Sequence, residues 1–278
     1  GGVINGGTNA LVADISEEGK SAGLSILGVF FGIGAIGVPL LLGSFLGNLT
    51  YEWLIQLVGL LVLIPLIFIS AIRFPSPKHE QGFPLKEGVG LLKELVLILF
   101  GLILFFQSGM EMTVGNWSAV FFNEELTVGS DRAVLILSLY WLGMVVARSL
   151  LGYLLKKISP AIVQFSSLGI ALVGLVIMIL SHDVTLSALG LFLSGFGFAA
   201  VYPVILGYIG ERYAHLSGTA FSIALVMALI GGMFFPWLTG ALGEQYGMRL
   251  SFVIVPAILC LSSIVFWINL KKISSNNM

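Results

Sequence analysis

An ionisable side chain deep in a long apolar run costs several kcal/mol unless it faces a cavity or a partner, so such residues are the first places to look for chemistry. Glu111 is the clearest case, in the segment QSGMEMTVGNW. Gln107 stands one helical turn before it on the same face, and Gly109 and Gly115 weaken the helix around it. The pattern predicts a discontinuous helix whose freed backbone groups stand beside a titratable carboxyl. That carboxyl can accept hydrogen bonds from a polyol, cycle a proton, or serve structurally by pairing with a neighbour or lying at the outer interface. Asn116 and Trp117 follow in the same segment. An indole plane beside amide groups suits the apolar face and hydroxyl edge of a sugar, and Trp equally marks the interfacial belt. Asn5 and Asn9 in the Gly-rich opening, Tyr140, Trp141, Tyr202 before Pro203, and Trp237 after Pro236 are further candidates for lining a cavity, or for packing. Arg148 sits about a turn and a half from the end of its run. It either snorkels to the interface or pairs with a carboxylate or helix end as part of a gate.

The elements that must position these residues are set by composition. The chain has 278 residues, of which 13 Lys plus Arg and 14 Asp plus Glu make 10% charged. Soluble domains carry about 25%, and the mean hydropathy here is +1.05. Lipid must therefore cover much of the surface. Uncharged or nearly uncharged runs long enough to cross a bilayer, about 17 to 25 residues each, fall at 21–43, 53–72, 92–122, 133–155, 158–181, 184–210, 216–243 and 250–270. They read as helices because every backbone polar group must be satisfied within the segment, and they lack the alternation of a barrel. Residues 1–13 are too short to span and resemble the end of another helix, so the sequence reads as truncated at its N-terminus.

Alternating connections put Lys20, Arg73, Lys78, Lys86, Lys93, Arg148, Lys156, Lys157, Arg212, Lys271 and Lys272 on one side and only Arg132 and Arg249 on the other. The positive-inside rule then places the 74–91 connection and the C-terminus in the cytoplasm. That connection, with Pro75, Pro77 and Pro84, reads as a linker between residues 1–73, the end of one half, and 92–278, a complete second half. A repeat supports two halves: Gly34, Pro39 and Gly43 recur as Gly231, Pro236 and Gly240. The shared offset matches the length of six spans with their loops, so the expected parent is a twelve-span protein built from two repeats.

Several function classes drop out. A net charge of -1 and a pI near 6.3 give no cationic field for nucleic acid. The single Cys260 forbids an internal disulfide or cysteine metal cluster. His79, His182 and His215 all fall at loops or run ends, so neither a metal motif nor a nucleophile triad can be assembled within the membrane. No enzyme site, cofactor or nucleotide-binding domain is expected.

Three segments carry a family resemblance. GGTNALVADISEEGKSAGLSILGVFFGIGAIGVPLLLG is similar to the fourth and fifth helices of the major facilitator superfamily, and more narrowly of its fucose, galactose and glucose proton symporters. GMEMTVGNWSAVFF resembles the seventh helix, and GFGFAAVYPVILGYIGERYAHLSGTAFS with GGMFFPWLTGALGEQYG resembles the tenth and eleventh. The resemblance implies an all-α integral membrane bundle with eight complete transmembrane helices plus the end of a ninth. It implies a multi-pass secondary transporter of the plasma (inner) membrane that takes up a monosaccharide with protons by alternating access. By position, Glu111 and Trp117 match the seventh-helix motif, Asn9 the fourth-helix Asn and Arg148 the eighth-helix Arg. The family's acidic coupling residues lie in its first and early fourth helices, which precede this sequence, so the coupling residue stays open. Carriage of another small organic solute, or a sensor built from a silent transporter, are the alternative expectations.

Overall fold

The computed structural model describes residues 7–9, 11–12, 15, 20–45, 51–72, 74 and 90–276. Asn5 and nearly all of the 74–91 linker lie outside the described residues. The long described elements are α1 (Lys20–Phe45), α2 (Tyr51–Ala71), α3 (Leu95–Leu126), α4 (Ser130–Leu154), α5 (Pro160–Leu180), α6 (Val184–Phe198), α7 (Val201–Arg212), α8 (Ser217–Tyr246), α9 (Met248–Ser251) and α10 (Ile254–Asn276). Their boundaries follow local chemistry. Ser159 caps α5 by accepting from the Ile162 N–H at 3.4 Å, with Pro160 in the first turn, where its missing N–H costs nothing. Asp183 caps α6 through the Leu186 N–H at 2.8 Å. Thr127, at φ 54, ends α3 in the left-handed region and reverses the chain into α4.

Among the described residues, six helical segments are long and apolar enough to cross a membrane: Leu95–Leu126, Ser130–Leu154, Pro160–Leu180, Val184–Arg212, Ala214–Tyr246 and Met248–Ser275. The runs at 21–43 and 53–72 are helical as α1 and α2 and contain the shorter apolar stretches Ile26–Val38 and Gly59–Ala71. The outward faces carry Leu, Ile, Val and Phe, the side chains that hydrocarbon solvates at no cost.

Two details differ from expectation, and both concern where a helix breaks. The segment around Glu111 is not discontinuous: α3 runs unbroken from Leu95 to Leu126. Its glycines serve close packing instead. A Cβ on Gly109 would run into the Phe235 ring of α8, and one on Gly115 would stand 3.3 Å from the Trp141 ring of α4. The interruption falls in the run read as one span at 184–210, at Ala199 and Ala200 between α6 and α7. Pro203 lacks the N–H that would bond the Ala199 carbonyl, and this is the loss that interrupts a helix.

Glycine sets how tightly the bundle closes. α8 lies along α3, α5 along α6, and α4 stands between α1 and α6. Gly174 and Gly190 face each other, so that a Cβ on either would come within 2.6 Å of the other's carbonyl oxygen. A Cβ on Gly195 would overlap the Tyr140 carbonyl, so α6 rests directly on the backbone of α4. In membranes, where the hydrophobic effect does not drive helices together, such contacts supply the packing that does.

Candidate functional site

Gln107 and Glu111 share one face of α3, four residues apart, and both are buried. The Gln107 Nε2 donates to Glu111 Oε2 at 3.4 Å and to the Phe198 carbonyl at 3.2 Å. Phe198 is the last residue of α6, and the final carbonyls of a helix have no partner within it, so the break leaves an acceptor aimed at α3. The Gly195 contact, one turn earlier, sets this position by pressing α6 onto Tyr140. The rings of Tyr140 and Phe198 then meet edge to face at 6.4 Å. Tyr202 follows just past the break within reach of Ser108 on α3, and the Glu111 carboxyl lies within electrostatic reach of both tyrosines. Four helices thus bring two phenols, an amide, a hydroxyl and a carboxyl to one buried locus.

The locus has polar capacity left over. The Gln107 Oε1 acceptor and the Tyr140 hydroxyl are buried without a hydrogen-bond partner among the described residues. Such groups cost about 1–3 kcal/mol each while unmade, so a hydroxylated solute that met both would gain that free energy. Glu111 is the only buried carboxylate, and Arg148 the only buried cation, among the described residues. Arg148 lies within electrostatic reach of Glu111 and of both tyrosines.

The other candidates are dispersed. Asn116 is exposed, on another face of α3. Trp117 is half-buried against α8: its indole N–H donates to the Pro236 carbonyl at 2.9 Å, and Gly240 leaves room for its ring. Trp141 stacks edge to face on Phe31 of α1 at 5.9 Å. Trp237 is 66% exposed and borders a shallow apolar groove with Ile230, Met233 and Phe234. Asn9 is half-buried in the short helical stretch at 7–9. Arg148 does not snorkel; only 7% exposed, it donates from Nη1 to the Gly28 carbonyl of α1 at 3.1 Å.

Two features escape a reading of the sequence by motif. Ser108 and the Phe198 carbonyl join the locus, the first signalled only by its place beside Gln107. A second node lies at the far ends of α3 and α5. There the Arg249 backbone N–H donates to Glu125 Oε1 at 3.0 Å and its Nε to Oε2 at 3.3 Å. Its Nη1 donates to the carbonyls of Ile179 and Ser181, and the guanidinium lies over the Phe121 ring at 5.3 Å.

The described helices of spanning length surround a buried polar locus, the general plan of a polytopic membrane protein. Family comparison makes this specific: the Major Facilitator Superfamily model matches residues 1–180 and 97–277, and the chain belongs to that family of transporters. It is 23% identical over 80% of its length to the glucose/mannose transporter GlcP of Bacillus subtilis, covering 58% of that protein. It is 28% identical over 67% of its length to a putative glucose/galactose transporter of Helicobacter pylori, covering 46%. The chain thus spans about half the length of these curated relatives. Among solved structures it superposes on the E. coli fucose:proton symporter FucP with a TM-score of 0.72 at 17% identity, covering 94% of this chain and 72% of that one.

Proposed function

We propose that the full-length protein is a secondary active transporter of the plasma membrane that takes up a monosaccharide together with protons by alternating access. The observation that carries the reading is the buried locus of Gln107, Glu111, Tyr140 and Tyr202, with an acceptor and a hydroxyl still unmatched. Solute hydroxyls are the complementary partners. The names of the two sequence relatives, a glucose/mannose transporter and a putative glucose/galactose transporter, support the same class. Glu111, as the one buried carboxylate among the described residues, is the coupling candidate within this chain. Arg148 serves the gate, while Asn9 and Asn5, on the helix read as the fourth, are candidates for the facing wall. In this reading α1 and α2 close the first half and α3 to α10 form the second, of a twelve-helix whole. The lysine-rich ends and the C-terminus face the cytoplasm.

Radiolabelled fucose, galactose and glucose uptake into vesicles holding the full-length protein tests this, with and without an imposed inward proton gradient. Gradient-driven accumulation of one of the sugars is the expected result. Uptake of none of them in either condition would exclude the sugar reading and leave the superfamily scaffold to another small organic solute.

A further inference from the structure

A side-chain amide has two ends of opposite sense: a nitrogen that only donates, through two hydrogens, and an oxygen that only accepts. At Gln107 both hydrogens are engaged. One goes to the Phe198 carbonyl at 3.2 Å and the other to Glu111 Oε2 at 3.4 Å. Turned about, the amide would set its oxygen against a carbonyl oxygen, which can never donate, so the Phe198 carbonyl by itself decides which way the amide faces. That carbonyl is in turn held from two sides. A Cβ on Gly195 would overlap the Tyr140 carbonyl of α4, and one on Gly197 would run into the backbone of Ser167 and Ala171 on α5. Backbone thus rests on backbone at both flanks of the last turn of α6. In an uninterrupted helix the Phe198 carbonyl would bond the Tyr202 N–H, four residues on. The break at Ala199 and Ala200 leaves it to Gln107 instead.

We propose that the break between α6 and α7 sets the hydrogen-bonding sense of the solute site: it fixes Gln107 as an acceptor, so that the solute must present a hydroxyl proton there. The inference rests on the reading of this locus as the sugar site and names what that site selects. The Gln107 Oε1, buried with no partner among the described residues, is the end of the amide left to meet solute. An ether oxygen, a keto oxygen or a fluorine placed against it brings acceptor to acceptor, and a methylene leaves it unmade. A glutamine free to turn would take either kind of partner and select neither. Discrimination therefore originates in a backbone carbonyl on another helix, and Phe198 is a positioning residue that acts through Gln107 without touching solute. Glu111 reinforces the lock only as a carboxylate, since a protonated carboxyl could donate to a turned amide. The Phe198 carbonyl holds the amide in either case.

Two measurements on the full-length protein separate the lock from the sugar. The first needs no solute: nuclear magnetic resonance of protein carrying isotope-labelled glutamine, with the Gln107 signal identified by its loss in Gln107→Met or, should that variant not fold, in Gln107→Asn. Both side-chain protons are expected downfield of a free amide, where bonded protons lie. Pro203→Ala is expected to return one of them toward the free position, because its new N–H lets α6 and α7 join and gives the Phe198 carbonyl to Tyr202. The second is displacement of radiolabelled fucose, galactose or glucose by the monodeoxy and monofluoro derivatives of the same sugar. At one ring position both derivatives are expected to bind roughly tenfold or more weakly than the parent, since fluorine accepts but cannot donate. Gln107→Met should erase the difference at that position, and Pro203→Ala should bring the fluoro derivative ahead of the deoxy one. Ratios between ligands on one protein do not depend on how much of it is folded, so a merely structural role would leave them alone. A free-amide position for either proton in the wild-type protein, or fluoro derivatives that bind like the parent at every position, overturns the lock. A ratio unmoved by Pro203→Ala overturns the part played by the break. Bonded protons that Pro203→Ala releases, in a protein that binds none of the three sugars, would uphold the lock and sink the sugar reading.

Discussion

The Arg249 node allows a stability change to be worked from geometry. Arg249 and Glu125 are 22% and 24% exposed, between the solvated surface pair and the fully buried one. Exposed pairs contribute about 0–1 kcal/mol, and breaking a buried one costs about 3–5 kcal/mol. A coupling energy of about 2 kcal/mol is expected from a double-mutant cycle of Arg249→Ala with Glu125→Ala. The single Arg249→Ala change does more, because it also strips the Ile179 and Ser181 carbonyls at the end of α5 of their donor. Its total is about 3 kcal/mol, the coupling plus roughly 1 kcal/mol for the orphaned carbonyls. Arg249→Lys keeps the charge but cannot reach Glu125 and α5 together, so it should recover less than half of the loss. Denaturation of the purified protein in detergent, followed by loss of its monodisperse peak, measures each variant. Arg249→Ala within about 0.5 kcal/mol of wild type would refute the reasoning, since that is the range of an inconsequential surface change. The node matters for function because it fixes the C-terminal end of α3, the helix that carries Gln107 and Glu111, against α5.

Two further outcomes follow from the packing. Gly195→Ala pushes α6 off the Tyr140 backbone at a cost of about 1–3 kcal/mol and moves the Phe198 carbonyl from Gln107; affinity for the proposed sugar should fall together with thermal stability. Trp117→Phe loses only the indole bond to the Pro236 carbonyl, about 1 kcal/mol, so stability should drop slightly while the sugar Kd stays at the wild-type value.

What the sequence discloses depends on whether a property is local. The spanning runs are legible because ten or more apolar residues in succession decide the matter by composition. Gln107 and Glu111 are paired by helical periodicity alone. The same arithmetic separates Asn116, five residues on and therefore rotated about 140° from Glu111. The break was not legible from glycine content: a Gly costs a helix about 1 kcal/mol, which the contacts of Gly109 with Phe235 and Gly115 with Trp141 offset. No neighbour can restore the N–H missing at Pro203. Arg148 has the length to snorkel, and only the groove at Gly28 and Gly32 on a distant helix decides that it turns inward. Glu125 and Arg249 are far apart in sequence and meet only because α3 and α8 run side by side.

Membership of Glu111 in the solute site is what the proposed transport function depends on most. Equilibrium binding and gradient-driven uptake of the proposed sugar substrate should be compared in Glu111→Gln and Asn116→Ala forms of the full-length protein, matched for membrane abundance. Loss of uptake in Glu111→Gln, with Asn116→Ala indistinguishable from wild type, is the predicted result. Wild-type uptake by Glu111→Gln, with or without the gradient, would contradict the central claim.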